Sequence, residues 1–305
     1  MKRILITGAT GLIGTRLTKF LLAAGYTVTH ISRSRPRGNH EVRSFLWDID
    51  RSWIEPGAFK DVDAIVHLAG AGIGDEPWSE TRKQEIIDSR VKSSALLRNE
   101  LSNTPHSVKT FISASGISYY GTSDEKIFSE DDPPASDFLA NVTQLWEQEA
   151  EKIRTLGIRV VELRTGIVLS DKGGVMDEFV KPIRWYVGAP LGSGKQWMSW
   201  IHIDDLCRIY IHAIESTYLT GPFNAVAPRA VTNREFMKAT ARALHRPILL
   251  PPIPKIFLKF LLGEMVYLAT DGSHVSSEKI QRSGFHFQFD ELSVALRDLF
   301  GKPSR

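Results

Sequence analysis

Glycines at positions 8, 11 and 14 follow a short apolar run, Arg3 to Thr7, and precede a stretch with helical spacing. The chemistry-bearing feature of this chain is therefore a glycine turn between a strand and a helix. Such a turn offers backbone N–H groups at a helix N-terminus, where the helix dipole favours an anion. A side chain at the turn would block an approaching pyrophosphate, and one at the last glycine would hold helix and strand apart. The spacing assigns Gly8, Thr10, Gly11, Leu12, Ile13 and Gly14 to the phosphates of a dinucleotide. About two dozen residues past Gly8, where an acidic residue ordinarily binds the adenosine ribose hydroxyls, stands Ser32, followed by Arg33, Arg35 and Arg37. A carboxylate there would repel a 2′-phosphate, whereas guanidinium groups can grip it. The expected cofactor is NADP(H).

Further candidates are spread along the chain. Asp48 closes a strand from Ser44 to Trp47 and is placed to receive the adenine amino group, with Ile49 beside it in the expected cofactor set. The small residues after Leu68, starting with Ala69 and Gly70, let a cofactor pass over a strand end. Ser115 follows the strand Thr110 to Ala114 and supplies a hydroxyl, with the phenols of Tyr119 and Tyr120 close behind. The glycine- and aromatic-rich stretch Gly173 to Trp200 is long for a simple connection, and such segments commonly cover a site. In and beside it Arg184, Gln196, Trp200 and His202 are assigned to a small-molecule substrate, Arg184 suiting an anionic group. The run Gly192 to Lys195 imitates a nucleoside-triphosphate loop, but Ala189 stands where a glycine is required and Gln196 where a hydroxyl is required. No metal site is expected.

The elements that must position these residues alternate. Strands at Arg3–Thr7, Thr27–Ser32, Ser44–Trp47, Asp63–Leu68, Thr110–Ala114 and Ile158–Leu163 are separated by helical patterns ending near Ala24 and spanning about Ser79–Leu101 and Asp137–Leu156. This alternation predicts an α/β fold, a doubly wound parallel sheet. Ile87, Val91, Ala95 and Leu101 form the expected buried stripe of the long helix, with Arg90 on its surface. The acidic segment Ser123 to Pro134 reads as a loop, and Ile253 to Ala269 as a packed helix of a smaller lobe. A chain of 305 residues, 42% hydrophobic and 24% charged, can bury a substantial core. Its net charge of +3 does not suggest a nucleic-acid binder. The single cysteine, Cys207, and the absence of an export or membrane-spanning pattern predict a cytoplasmic protein.

GATGLIG at 8–14, HLAG at 67–70, SASGISYYG at 113–121, RTGIVL at 164–169 and WIHIDDL at 200–206 resemble the extended short-chain dehydrogenase/reductases. PWSETRKQEIIDSR at 77–90, FNAVAP at 223–228 and GFHFQFDELSVALRDLF at 284–300 are similar to its atypical YfcH-like branch, usually labelled nucleoside-diphosphate-sugar epimerases. The resemblance spans essentially the whole chain. It implies a Rossmann domain over residues 1–170 plus about 200–245, and a smaller substrate-side lobe over about 171–199 plus 246–305. Arg90, Ser113 and Arg164 join the expected cofactor set. Enzymes of the parent family use a tyrosine with a lysine four residues later on one helix. Here Phe138 or Leu139 takes the tyrosine's place and Val142 or Thr143 the lysine's. Two functions stay open: NADP(H)-linked oxidoreductase or epimerase-like chemistry with replacement groups, Ser115, Tyr119 and Tyr120 first among them; or an NADP(H)-sensing module that signals to a protein partner, as in relatives associated with cell division. A vestigial site has no physical need for the intact turn and its arginines. Oligomeric state is not legible.

Overall fold

The computed structural model describes residues 2–35 and 42–301. Along the chain run β1 (Arg3–Thr7), α1 (Leu12–Ala23), β2 (Thr27–Ser32), β3 (Arg43–Asp48), β4 (Trp53–Ile54), β5 (Ala64–His67), α2 (Glu80–Asn103), β6 (Thr110–Gly116), β7 (Ser123–Phe128), α3 (Phe138–Glu151), β8 (Arg159–Thr165) and β9 (Ile167–Leu169). The second half carries α4 (Val175–Arg184), β10 (Trp197–Met198), β11 (Trp200–His202), α5 (Ile203–Glu215), β12 (Gly221–Ala225), β13 (Val231–Thr232), α6 (Asn233–Ala243), α7 (Lys255–Leu262), α8 (Val266–Thr270), β14 (Ser273–Val275), α9 (Glu278–Arg282) and α10 (Leu292–Phe300).

The central sheet has the order β12-β8-β6-β5-β1-β2-β3-β4 and is parallel except for the short edge strand β4. Side chains alternate across a strand, and helices cover both faces, which is why the strands read as continuous apolar runs. Ile4 and Ile6 face α1 and α5, packing with Leu17, Leu21, Leu206 and Ile209. Leu5 points the other way, into Ile65, Phe111, Leu97, Leu101 and Ile153. A separate core of Met176, Phe179, Trp200, Phe236, Phe289 and Leu296 joins α4, α6 and α10. α6 thus shares its core with α4 and α10.

Two expectations are corrected, over 123–134 and in α7, and the stretch 173–200 also holds defined elements. The acidic segment 123–134 holds β7, whose partner β14 lies far along the chain. The stretch 173–200 contains α4 and β10, with Pro182 inside the helix. In α7 only Leu258 is buried, while Ile256, Phe257, Phe260 and Leu261 are exposed.

Candidate functional site

From β1 the chain proceeds to β2 and β3 on one side of the sheet, and from β5 to β6, β8 and β12 on the other. The carboxyl ends of β1 and β5 therefore flank the point where strand order reverses, the place in such sheets where a crevice opens. Gly8 occupies it with φ +67°. A Cβ there would sit 2.8 Å from the carbonyl carbon of Leu68 and 2.9 Å from the amide nitrogen of Ala69. The Thr7 hydroxyl holds that second strand end in place by accepting from the Leu68 and Ala69 amides at 3.2 and 3.3 Å. At Gly14 a Cβ would meet the Gly8 carbonyl oxygen at 2.5 Å, so α1 lies as close to β1 as a bare backbone allows. Gly11 opens α1 with no side-chain cap. Thr10 is exposed on the turn, while Leu12 and Ile13 turn their side chains into the core and leave only backbone at the helix start. This is a cradle that added side chains would fill, and it fits the pyrophosphate of a dinucleotide.

At the end of β2, the Ser32 hydroxyl donates to the carbonyl of Ser34 at 2.5 Å. Arg35 pairs with Glu55 at 3.2 Å. Arg33 is exposed and has no ion pair among the described residues, and Arg37 lies outside them. Asp48 accepts from the Arg51 amide at 3.0 Å, and Ile49 packs on the lower core beside it.

Arg90 is not on the surface of α2 but inside it. Its Nη1 donates to the carbonyls of Ala71 and Ile86, each at 3.0 Å, and its guanidinium lies 4.9 Å from the Trp146 ring centroid. A Cβ at Gly70 would be 3.1 Å from the guanidinium carbon. Burial pulls its pKa down to about 10. The inward face of α2 carries Arg82, Ile86, Arg90, Ser93, Leu97 and Leu101, a face polar enough to misdirect a reading based on apolar periodicity.

The residues after β6 form a closed network. Ser115 donates to Glu147 at 2.6 Å, and the same carboxylate receives Arg164 Nε and Nη2 at 2.8 and 2.7 Å. Arg164 Nη1 donates to the Tyr120 hydroxyl, which donates to Asn224 Oδ1 at 2.7 Å. Tyr120 also stacks on Phe128, and burial pushes its phenol well above the usual range. Tyr119 lies under the Arg164 guanidinium at 3.5 Å. The Ser113 hydroxyl is buried and donates to the Ala114 carbonyl at 2.9 Å. None of these residues lines the adjoining cavity.

That cavity, of about 390 Å³, lies between the turn after β6, the first turn of α3 and the smaller lobe. Phe138 and Leu139 line it. Asp137 caps α3, accepting from the Leu139 and Ala140 amides at 3.0 and 3.1 Å. Gln196 is in the wall, its amide nitrogen tied to the carbonyls of Leu191 and Ala269 at 3.0 Å each. Beside it Trp197 donates to the Asp124 carbonyl at 2.9 Å and packs on His274. The remaining substrate candidates are elsewhere. Trp200 is fully buried in the lobe's core, His202 caps α5 and stacks on Phe289 at 3.8 Å, and Arg184 is exposed at the end of α4. The sequence reading missed Ser118, which a 3₁₀ turn over Ile117–Tyr120 brings into the wall, and Tyr267, from α8. A second hydroxyl three residues past Ser115 was the available signal for Ser118.

A glycine turn at the switch point of a parallel sheet, with a second lobe enclosing a cavity beside it, defines the dinucleotide-binding Rossmann class. Residues 4–225 match the model of the NAD dependent epimerase/dehydratase family, and the chain belongs to that family. Residues 253–299 match a domain of unknown function. The chain is 35% identical to the epimerase family protein YfhF of Bacillus subtilis over 302 residues, covering 97% of each. It superposes on the crystal structure of the human epimerase family protein SDR39U1 with NADPH, with a TM-score of 0.89 and 33% identity over 98% of this chain and 99% of that one. A nucleoside-diphosphate sugar epimerase from Corynebacterium glutamicum gives a TM-score of 0.79 at 28% identity, over 98% of this chain and 58% of that one. Among the described residues no cluster of His, Cys, Asp and Glu suits a metal ion, and no helix is long and apolar enough to cross a membrane.

Proposed function

We propose that this protein binds NADP(H) in the crevice at Gly8 and performs oxidoreductase or epimerase-like chemistry on a small molecule in the adjoining cavity. The observation that carries the reading is the bare backbone cradle formed by Gly8, Gly14 and the Leu68–Ala69 strand end. The NADPH held by the human relative supports the choice of cofactor. The amides from Gly8 to Ile13 hold the pyrophosphate, Ser32 and Arg33 the 2′-phosphate end, and Asp48 and Ile49 the adenine. Leu68, Ala69 and Gly70 leave the path over the sheet open, with Arg90 buried beneath it. When bound, the nicotinamide supplies or accepts a hydride. Ser118, Thr122 and Tyr267 supply wall hydroxyls able to hydrogen-bond a substrate oxygen, in a site whose α3 positions are apolar.

Titration with NADPH and NADH, followed by turnover over a carbonyl panel, tests this reading. NADPH should bind more tightly than NADH. Ser118→Ala and Tyr267→Phe should lose turnover while keeping cofactor affinity, and unchanged turnover in both sinks the assignment.

A second reading has one observation in its favour. Ser115 and Tyr120 are fully committed to Glu147, Arg164 and Asn224, which suits a framework more than a reaction centre. An NADP(H)-sensing module that acts through a protein partner would bind the cofactor and turn over nothing.

A further inference from the structure

The cavity wall defines a class of ligand. Its large surfaces are aromatic or aliphatic: Trp78, Phe138, Phe179, Trp197, Met198 and Leu268. Its ionic groups are three carboxylates, each already satisfied. Asp137 is held by the first amides of α3, Glu264 by Lys83 at 2.7 Å, and Asp271 by Lys255 at 2.8 Å. The wall therefore presents aromatic faces, hydroxyls from Ser118, Thr122 and Tyr267, the unpartnered Gln196 Oε1, and no cationic side chain. The volume of about 390 Å³ lies near the lower end of the range of roughly 300–1,000 Å³ for small-molecule sites. Burying a charged diphosphate here would require cationic donors to replace its water, and burial of an unpaired ion is strongly unfavourable.

We infer that the substrate-side cavity takes an uncharged, largely apolar molecule with an aromatic or similarly flat body, bearing one oxygen for Ser118 or Tyr267, and that it does not take a nucleoside-diphosphate sugar. The inference deepens the proposed function, on which it rests for identifying this cavity as the substrate site. Arg184, the group expected to hold an anionic substrate, is outside the wall.

The test compares 2-naphthaldehyde with UDP-glucose as probes, each titrated calorimetrically into the full-length protein alone and with saturating NADPH. The naphthaldehyde should bind at least about tenfold more tightly than UDP-glucose, and Trp197→Ala should weaken it by about tenfold or more. Leu268→Asp, which adds an unpaired charge to a partly exposed wall position, should weaken it comparably; circular dichroism checks that both variants fold. UDP-glucose binding as tight as or tighter than naphthaldehyde, or naphthaldehyde binding indifferent to both folded variants, overturns the inference. The NADPH titration is a separate readout: its failure removes the cofactor reading, while the cofactor-free titrations still decide which ligand class the cavity takes.

Discussion

Arg164 on β8 and Glu147 on α3 form a bidentate pair, with N–O distances of 2.8 and 2.7 Å, in which the guanidinium side chain is 3% exposed and the carboxylate 14%. The pair ties sheet to helix, and removing one partner leaves an uncompensated buried charge. Glu147→Gln should destabilise the fold by about 3–5 kcal/mol. The double variant with Arg164→Met should lose clearly less than the sum of the two single losses. Urea unfolding of the four proteins measures this, and strict additivity would show that the two residues do not act as a pair.

Gly8 is needed for both conformation and space. Gly8→Ala forces a Cβ onto the Leu68–Ala69 backbone at a positive φ, so NADPH affinity should fall by more than about tenfold. Gly25→Ala is the control: its φ is +84°, but nothing lies within 4 Å of the added carbon. It should lose about 1 kcal/mol of stability with cofactor affinity intact. Equal effects of the two substitutions on NADPH fluorescence titrations would remove the cradle argument.

Arg33 and Arg35 are not equivalent, because Arg35 is engaged by Glu55 and Arg33 has no ion pair among the described residues. Losing a charged hydrogen bond of about 1.5–3 kcal/mol predicts that Arg33→Ala weakens NADPH by about 10- to 150-fold while leaving NADH unchanged. Arg35→Ala should do less. A loss of both cofactors in parallel would place Arg33 outside the 2′-phosphate site.

His67 is completely buried between Thr7 and Ser93, and burial together with the Arg90 charge lowers its pKa to about 3. The unfolded chain binds a proton near the ordinary value of 6.5 that the folded protein refuses. Stability from this source is therefore complete above about pH 6.5 and declines as pH falls towards 3, by up to about 1.4 kcal/mol per pH unit. His67→Gln should flatten the wild-type slope between pH 7 and 5 in chemical denaturation. Identical slopes would mean that His67 does not titrate differently in the two states.

The glycine turn and the strands of the main sheet were legible because each depends on neighbours in sequence: alternation and punctuation by glycine are local properties. Arg90 shows the limit. Periodicity reports which face of a helix is apolar, and α2 buries a partly polar one against Trp146 and the carbonyl of Ala71. Strand β7 was invisible for a related reason, since its partner Ser273–Val275 lies well over a hundred residues away and its own side chains are mostly exposed.

By itself the sequence determined the dinucleotide turn and the parallel α/β sheet. Only the tertiary structure decided that Ser118 rather than Ser115 reaches the cavity, that Trp200 and His202 belong to the interior, and that the cavity wall is largely aromatic and aliphatic with no cationic side chain. The division follows from distance along the chain. Backbone conformation at a glycine is set within a few residues, whereas the direction of a hydroxyl and the partner of a carboxylate are set by the long-range packing of α3, β8 and the smaller lobe on one another.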